Sequence, residues 1–198
     1  MEETARAAYG PSPMDPRAAA HAVAAGLPDE AVVVEEAITV GLRLRAVLRQ
    51  NIPGSYVHTV GGGLGWGIGA AVGTRMADPD RPVVAVLGDG CAMFGLQGLW
   101  SAARYEVPVA FVVMNNGEYR TLKDTLDQGG GASAEHGRYV GMDLAPPALD
   151  WQSAAPLFGI DAVRAGSADE LRDAVASVKD LAAPLLIEAP VTGHGADR

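Results

Sequence analysis

The chain has 198 residues, is 48% hydrophobic and carries a formal net charge of −9, which is enough apolar mass for one sizeable core. That negative balance argues against non-specific binding to nucleic acid or to an anionic membrane. The single cysteine, Cys91, excludes an internal disulfide, a four-cysteine zinc site and an iron–sulfur cluster held by this chain alone. No stretch reaches the roughly 18 apolar residues of a membrane span, and the N-terminus lacks a signal peptide's apolar core, so a reducing, cytoplasmic setting is the expectation.

Residues 1–15 mix charge, alanine and the turn-formers Gly10, Pro11 and Pro13, a pattern that predicts a flexible lead-in. Residues 16–25 read as an alanine-rich helix, 31–34 as a buried strand, and 39–48 as a helix that Pro53-Gly54 closes with a turn. After the run Gly61-Gly62-Gly63, the small residues of 64–76 suit a helix packed closely on its neighbours. Residues 83–87 are a continuous apolar strand, ended by Gly88-Asp89-Gly90, and a helix starts after Gly90. Residues 96–105 have helical spacing, and 109–114 form a second apolar strand that Asn115-Asn116-Gly117 terminates. Residues 118–147 carry little apolar periodicity and include Gly129-Gly130-Gly131, which predicts a long, partly mobile loop. Helices at 151–158 and 168–178, a last strand at 185–188 and a tail over 193–198 complete the pattern.

Unbroken apolar strands separated by helices predict an α/β fold, a doubly wound parallel sheet with helices on both faces, formed by one domain over residues 16–192. Ligands of such sheets lie at the carboxyl ends of the strands. Two strand-end motifs stand there. Asp89 offers an anionic oxygen, Asn116 an amide oxygen, and the flanking glycines allow close backbone approach. Mg²⁺ takes about six oxygens, usually shared between one or two carboxylates, phosphates and water. The helix start after Gly90 adds N–H groups suited to phosphate. By itself, Gly-Asp-Gly is also an ordinary turn after a strand.

The spacing narrows that choice. Gly88-Asp89-Gly90, then 24 residues, then Asn115-Asn116 resembles the binding motif of thiamine diphosphate (ThDP) enzymes. The stretches 51–56, 62–66, 70–73 and 99–105 also resemble the carboxyl-terminal domain of benzoylformate decarboxylase, a relative of pyruvate decarboxylase and acetolactate synthase. The resemblance covers about residues 32–191. It implies that Asp89 and Asn116 bind Mg²⁺ through side chains and Glu118 through its backbone carbonyl. It implies that Leu64 props the cofactor in a bent conformation and that Gly62, with Gly63 beside it, orients its amino group. Thr39, Gly88, Gly90, Cys91 and Tyr119 fall at positions around the diphosphate.

Departures from the family pattern bear on the substrate. Cys91 stands where a serine is frequent, and of 36–39 only Thr39 keeps a hydroxyl. His58, Asp124 and Thr125 replace aromatic residues of the decarboxylase near its substrate, so a benzoyl-sized substrate is not implied; a buried core histidine is an equal reading of His58. His21, His136 and His194 read as surface or loop positions, and Trp66 as a residue of the core or of the cofactor cleft.

The resemblance further implies a second domain that binds the aminopyrimidine and supplies a glutamate. Glu35 and Glu36 belong to the first strand and are not that glutamate. The expectation is a split enzyme, with a pyrimidine-domain partner subunit, an α₂β₂ assembly and a small 2-oxo acid substrate that is decarboxylated or joined to a second carbonyl. The expected partner face lies around residues 64–71 and 96–105. An excised domain of a longer decarboxylase, a ThDP subunit of a 2-oxo acid oxidoreductase and a non-catalytic scaffold are the alternatives.

Overall fold

The computed structural model describes residues 2–10 and 12–193; His194 and the rest of the expected tail lie outside them. The chain opens with α1 (Glu2–Ala7) and α2 (Pro16–Gly26), then β1 (Val32–Glu36), α3 (Ile38–Val47), β2 (Tyr56–His58), α4 (Trp66–Ala77) and β3 (Val83–Gly88). There follow α5 (Asp89–Phe94), α6 (Gly98–Arg104), β4 (Val109–Asn115), α7 (Arg120–Gly129), α8 (Ala132–His136) and α9 (Trp151–Leu157). The described part ends with β5 (Asp161–Arg164), α10 (Ala168–Ala176), a 3₁₀ turn (Ser177–Asp180) and β6 (Leu185–Pro190).

The six strands pair in the order β2-β1-β3-β4-β6-β5, every pair parallel. Alternate strand residues feed two cores, because successive side chains point to opposite faces. Val33, Val84, Val112 and Ile187 pack with α2, α3 and α10 on one face. Val34, Ala85, Phe111 and Leu186 pack with α4, α6 and α9 on the other. Burial on both sides explains why the central strands read as unbroken apolar runs. From β1 the chain moves outward to β2, whereas from β3 it moves the opposite way to β4. The carboxyl ends of β1 and β3 therefore flank the switch point where doubly wound sheets bind ligands.

Three expectations change. The lead-in contains α1, and Met14 is buried in a parallel bridge to Val191, with Met14 N donating to Pro190 O at 2.8 Å. Asp15 then caps α2 by accepting the Arg17 N–H, with Pro16 in the first turn. The expected loop over 118–147 holds α7 and α8. The edge strands β2 and β5, of three and four residues, were not legible, being too short and too exposed to leave an apolar run. His21 is buried rather than superficial and its Nδ1 lies 2.9 Å from the Tyr9 hydroxyl, whereas His136 is exposed in α8.

Candidate cofactor site

At the switch point lies a cleft of about 210 Å³, walled by residues 37–40, 88–91 and 118–122 together with Gly62, Leu64, Met114, Asn116 and Val191. The starts of α3, α5 and α7 all open into it, and none has a side-chain cap. First-turn N–H groups without such partners, backed by helix dipoles, favour an anion. Ala37, Gly88 and Tyr119 occupy the cap positions and offer no capping side chain, although in α5 the first-turn Gly90 N–H is already taken by Asp89 Oδ1.

Asp89 stands at the floor, 3% exposed. Its Oδ1 accepts the Gly90 N–H at 2.9 Å and its Oδ2 the Gly117 N–H at 2.7 Å. Burial pushes its carboxyl up to about 6, against the pull of those backbone donors. The bond to Gly117 ties the end of β3 to the end of β4 and so brings Asp89 and Asn116 to one place. Asn116 Oδ1 accepts the Glu118 N–H at 3.1 Å, closing a turn that Gly117 permits with φ +67°. Gly117 O accepts from Leu144 N and Tyr119 N donates to Met142 O, so strand alternation turns the Glu118 carbonyl away from that pairing. The Glu118 carboxylate is engaged elsewhere, by Lys123 and, at 3.9 Å, by Arg120.

Thr39, Gly62, Leu64, Gly88, Gly90, Cys91, Asn116, Glu118 and Tyr119 all line the cleft. Gly90 is required there, since a Cβ would come within 2.4 Å of Tyr119 Cε1. Cys91 is 7% exposed, and burial followed by the nearby Glu36 and Asp89 charges pushes its thiol up to about 12, which makes it a small filler rather than a nucleophile. Gly63 does not line the cleft. His58, Asp124 and Thr125 do not either. His58 is exposed, its Nδ1 2.8 Å from Thr59 O, so the buried reading fails as well. Asp124 Oδ1 accepts from Arg120 Nη2 at 2.6 Å, and the Thr125 hydroxyl donates back to Thr121 O at 2.8 Å. The residues that α7 brings to the cleft are Arg120, Thr121 and Leu122, with Thr121 Oγ1 3.5 Å from Thr39 Oγ1. Trp66 packs against the core of the α4 face, not in the cleft.

Sequence reasoning also missed Glu36. It is 2% exposed, and its carboxylate accepts the Gly65 and Gly67 N–H groups at 2.5 and 2.7 Å. Two glutamates ending a strand that begins with three valines, both buried, are the available signal.

Helix starts gathered around a buried carboxylate, with an apolar wall beside them, suit a phosphorylated organic cofactor. Asp89 meets only backbone donors, and a cation would offset the desolvation that raises its pKa, so the residues present fit both groups. Residues 39–189 match the family model for the thiamine pyrophosphate enzyme C-terminal TPP-binding domain, and the chain belongs to that family. It is 34% identical over 178 residues to benzoylformate decarboxylase of Pseudomonas aeruginosa, covering 90% of this chain and 32% of that protein. It is 29% identical over 143 residues to an acetolactate synthase large subunit of Parasynechococcus marenigrum, covering 72% of this chain and 22% of that one. Among solved structures, the thiamine diphosphate-dependent 4-hydroxybenzoylformate decarboxylase of Rhodococcus jostii RHA1 is similar, with a TM-score of 0.81 and 34% identity over 90% of this chain and 33% of its own. The chain thus spans about a third of the length of its benzoylformate decarboxylase relative.

Proposed function

We propose that this chain is the diphosphate- and Mg²⁺-binding part of a ThDP-dependent lyase or carboligase acting on a small 2-oxo acid. The observation that carries the reading is the meeting of the starts of α3, α5 and α7 over buried Asp89, whose carboxylate accepts from the Gly90 and Gly117 N–H groups. Asp89 and Asn116 side chains and the Glu118 carbonyl hold the metal, and the N–H groups at the starts of α3, α5 and α7 hold the diphosphate. The hydroxyls of Thr39 and Tyr119 lie on the same wall and add donors. Leu64, Ile38 and Leu122 give the organic part of the cofactor an apolar surface and exclude water from it. When bound, ThDP supplies an electron sink for breaking or making the carbon–carbon bond beside a carbonyl.

The rest of the site belongs, in this reading, to a pyrimidine-binding domain on a partner subunit, in an α₂β₂ assembly. Support comes from exposed apolar side chains, Leu64 on the cleft wall and others on α5 and α6. Leu64 is 36% exposed, Phe94 60%, Trp100 55% and Met93 42%. Exposed apolar clusters of this kind mark protein contacts.

Titration calorimetry tests the cofactor half. Wild-type chain should bind ThDP saturably with Mg²⁺ and weakly in chelator, and Asp89→Ala should lose the metal-dependent part while keeping its helical circular dichroism. Unchanged affinity in that variant would show that Asp89 is not a metal ligand. For the partner half, co-expression with the product of a neighbouring reading frame should give a stable complex by sedimentation; a chain active and monomeric by itself would refute it.

A further inference from the structure

Glu36 lies outside the cleft, yet it grips the turn that carries Leu64 inside it. The turn before α4 is unsupported on its N-terminal side: Val60 is 98% exposed, and a Cβ placed on Gly61, Gly62 or Gly63 would meet nothing. On its C-terminal side, Gly65 has φ +92° and caps α4 without a side chain. The missing cap comes from β1 instead, where Glu36 Oε1 takes the Gly65 N–H at 2.5 Å and Oε2 the Gly67 N–H at 2.7 Å. Across the turn the backbone of Gly95 closes in, so that a Cβ there would fall 2.3 Å from Gly65 O. Gly65 is held between the two, and Leu64 is the next residue along the chain.

We propose that Glu36 is a positioning residue: its two-pronged grip on the start of α4 fixes Leu64 on the apolar wall, and through Leu64 governs affinity for the organic part of the cofactor but not for its diphosphate. This rests on the ThDP reading. The two ends of the cleft are separable because the start of α3 is held by a different carboxylate, Glu35, whose Oε1 accepts the Ala37 N–H at 2.8 Å. Asp89 is held by Gly90 and Gly117. A glutamine at position 36 keeps one acceptor and turns an amide NH₂ towards the other donor, leaving a buried N–H unpaired and the turn free to shift.

The test titrates wild type, Glu36→Gln, Leu64→Ala and the double variant with two probes, ThDP and inorganic pyrophosphate, each with Mg²⁺. Each single variant should weaken ThDP about tenfold and leave pyrophosphate within about twofold, the scale of one lost buried hydrogen bond. The double variant should lose no more than either single one, since both changes remove the same contact. Pyrophosphate affinity falling in step with ThDP in Glu36→Gln would mean general damage and overturn the proposal. So would unchanged ThDP affinity, or losses that multiply to about a hundredfold in the double variant. Wild type that binds neither probe would instead sink the cofactor reading. If Glu36→Gln is too unstable to purify, Glu36→Asp keeps the charge but shortens the reach by one methylene, and the same ThDP-selective loss is expected.

Discussion

Asp89→Asn separates the metal role proposed for this side chain from its cost to the fold. Burial raises the Asp89 carboxyl from 3.8 to about 6. A folded-state pKa above the unfolded one means stability that is fully present below about pH 4 and is lost as pH rises through about 6. At about 1.4 kcal/mol per pKa unit, ionised Asp89 costs the cofactor-free fold roughly 2–3 kcal/mol at neutral pH. Asparagine escapes that cost but not a second one. Both carboxylate oxygens accept a backbone N–H, from Gly90 and Gly117, and an amide can accept only one. The unpaired donor costs about 1–2 kcal/mol at any pH.

The two effects have different pH dependence, which makes the prediction sharp. Near pH 4.5, where about 1 kcal/mol of that cost has already accrued, the variant should be level with wild type or up to about 1 kcal/mol less stable, and near pH 7.5 it should be equal or up to about 2 kcal/mol more stable. Urea unfolding in chelator across this range, with the difference between the two proteins plotted, cancels the other titrating groups. Adding Mg²⁺ and ThDP at neutral pH should stabilise wild type by mass action and leave the variant unmoved. Difference curves that stay flat with pH would refute the argument, because they would mean that Asp89 carries no desolvation penalty to be relieved by a cation.

Three other outcomes follow from the same coordinates. Cys91, with its thiol pushed up to about 12 by burial, should resist thiol reagents near pH 8 in the folded chain and react promptly in denaturant; rapid labelling of the native chain would contradict its packing. Gly90→Ala drives a Cβ to 2.4 Å from the Tyr119 ring, so it should cost about 1–3 kcal/mol in thermal unfolding and weaken ThDP at least about tenfold by calorimetry. Arg45→Met removes the guanidinium bonded at 2.5 Å to buried Glu35; Tyr56 and the Ala37 N–H still serve that carboxylate, and Arg45 is 42% exposed, so a loss of about 1–3 kcal/mol by urea unfolding is expected.

Why some of this was readable and some not follows from what each residue's neighbours are. The central strands announce themselves because both faces are buried, and Asp89 and Asn116 because the chain itself sets their spacing. The segment 118–147 is unreadable by apolar periodicity because α7 docks with charge. Arg120 and Lys123 are buried, and Glu118, Asp124, Asp127 and Asp143 surround them. A helix held inward by ion pairs looks polar all round and passes for a loop. Glu36 is hidden for a related reason, since its partners lie 29 and 31 residues away along the chain. The same mechanism accounts for the absence of Asp124 from the cleft wall. Asp124 stands four residues after Arg120 and serves that pair across one helical turn, so its polarity is spent inside α7. What α7 turns to the cleft is Arg120, Thr121 and Leu122, beside Ile38 and Leu64. Under the proposed function, the organic half of the cofactor and a 2-oxo acid beside it would meet a largely apolar wall on this chain, with Arg120 and Thr121 the polar side chains that α7 brings to it.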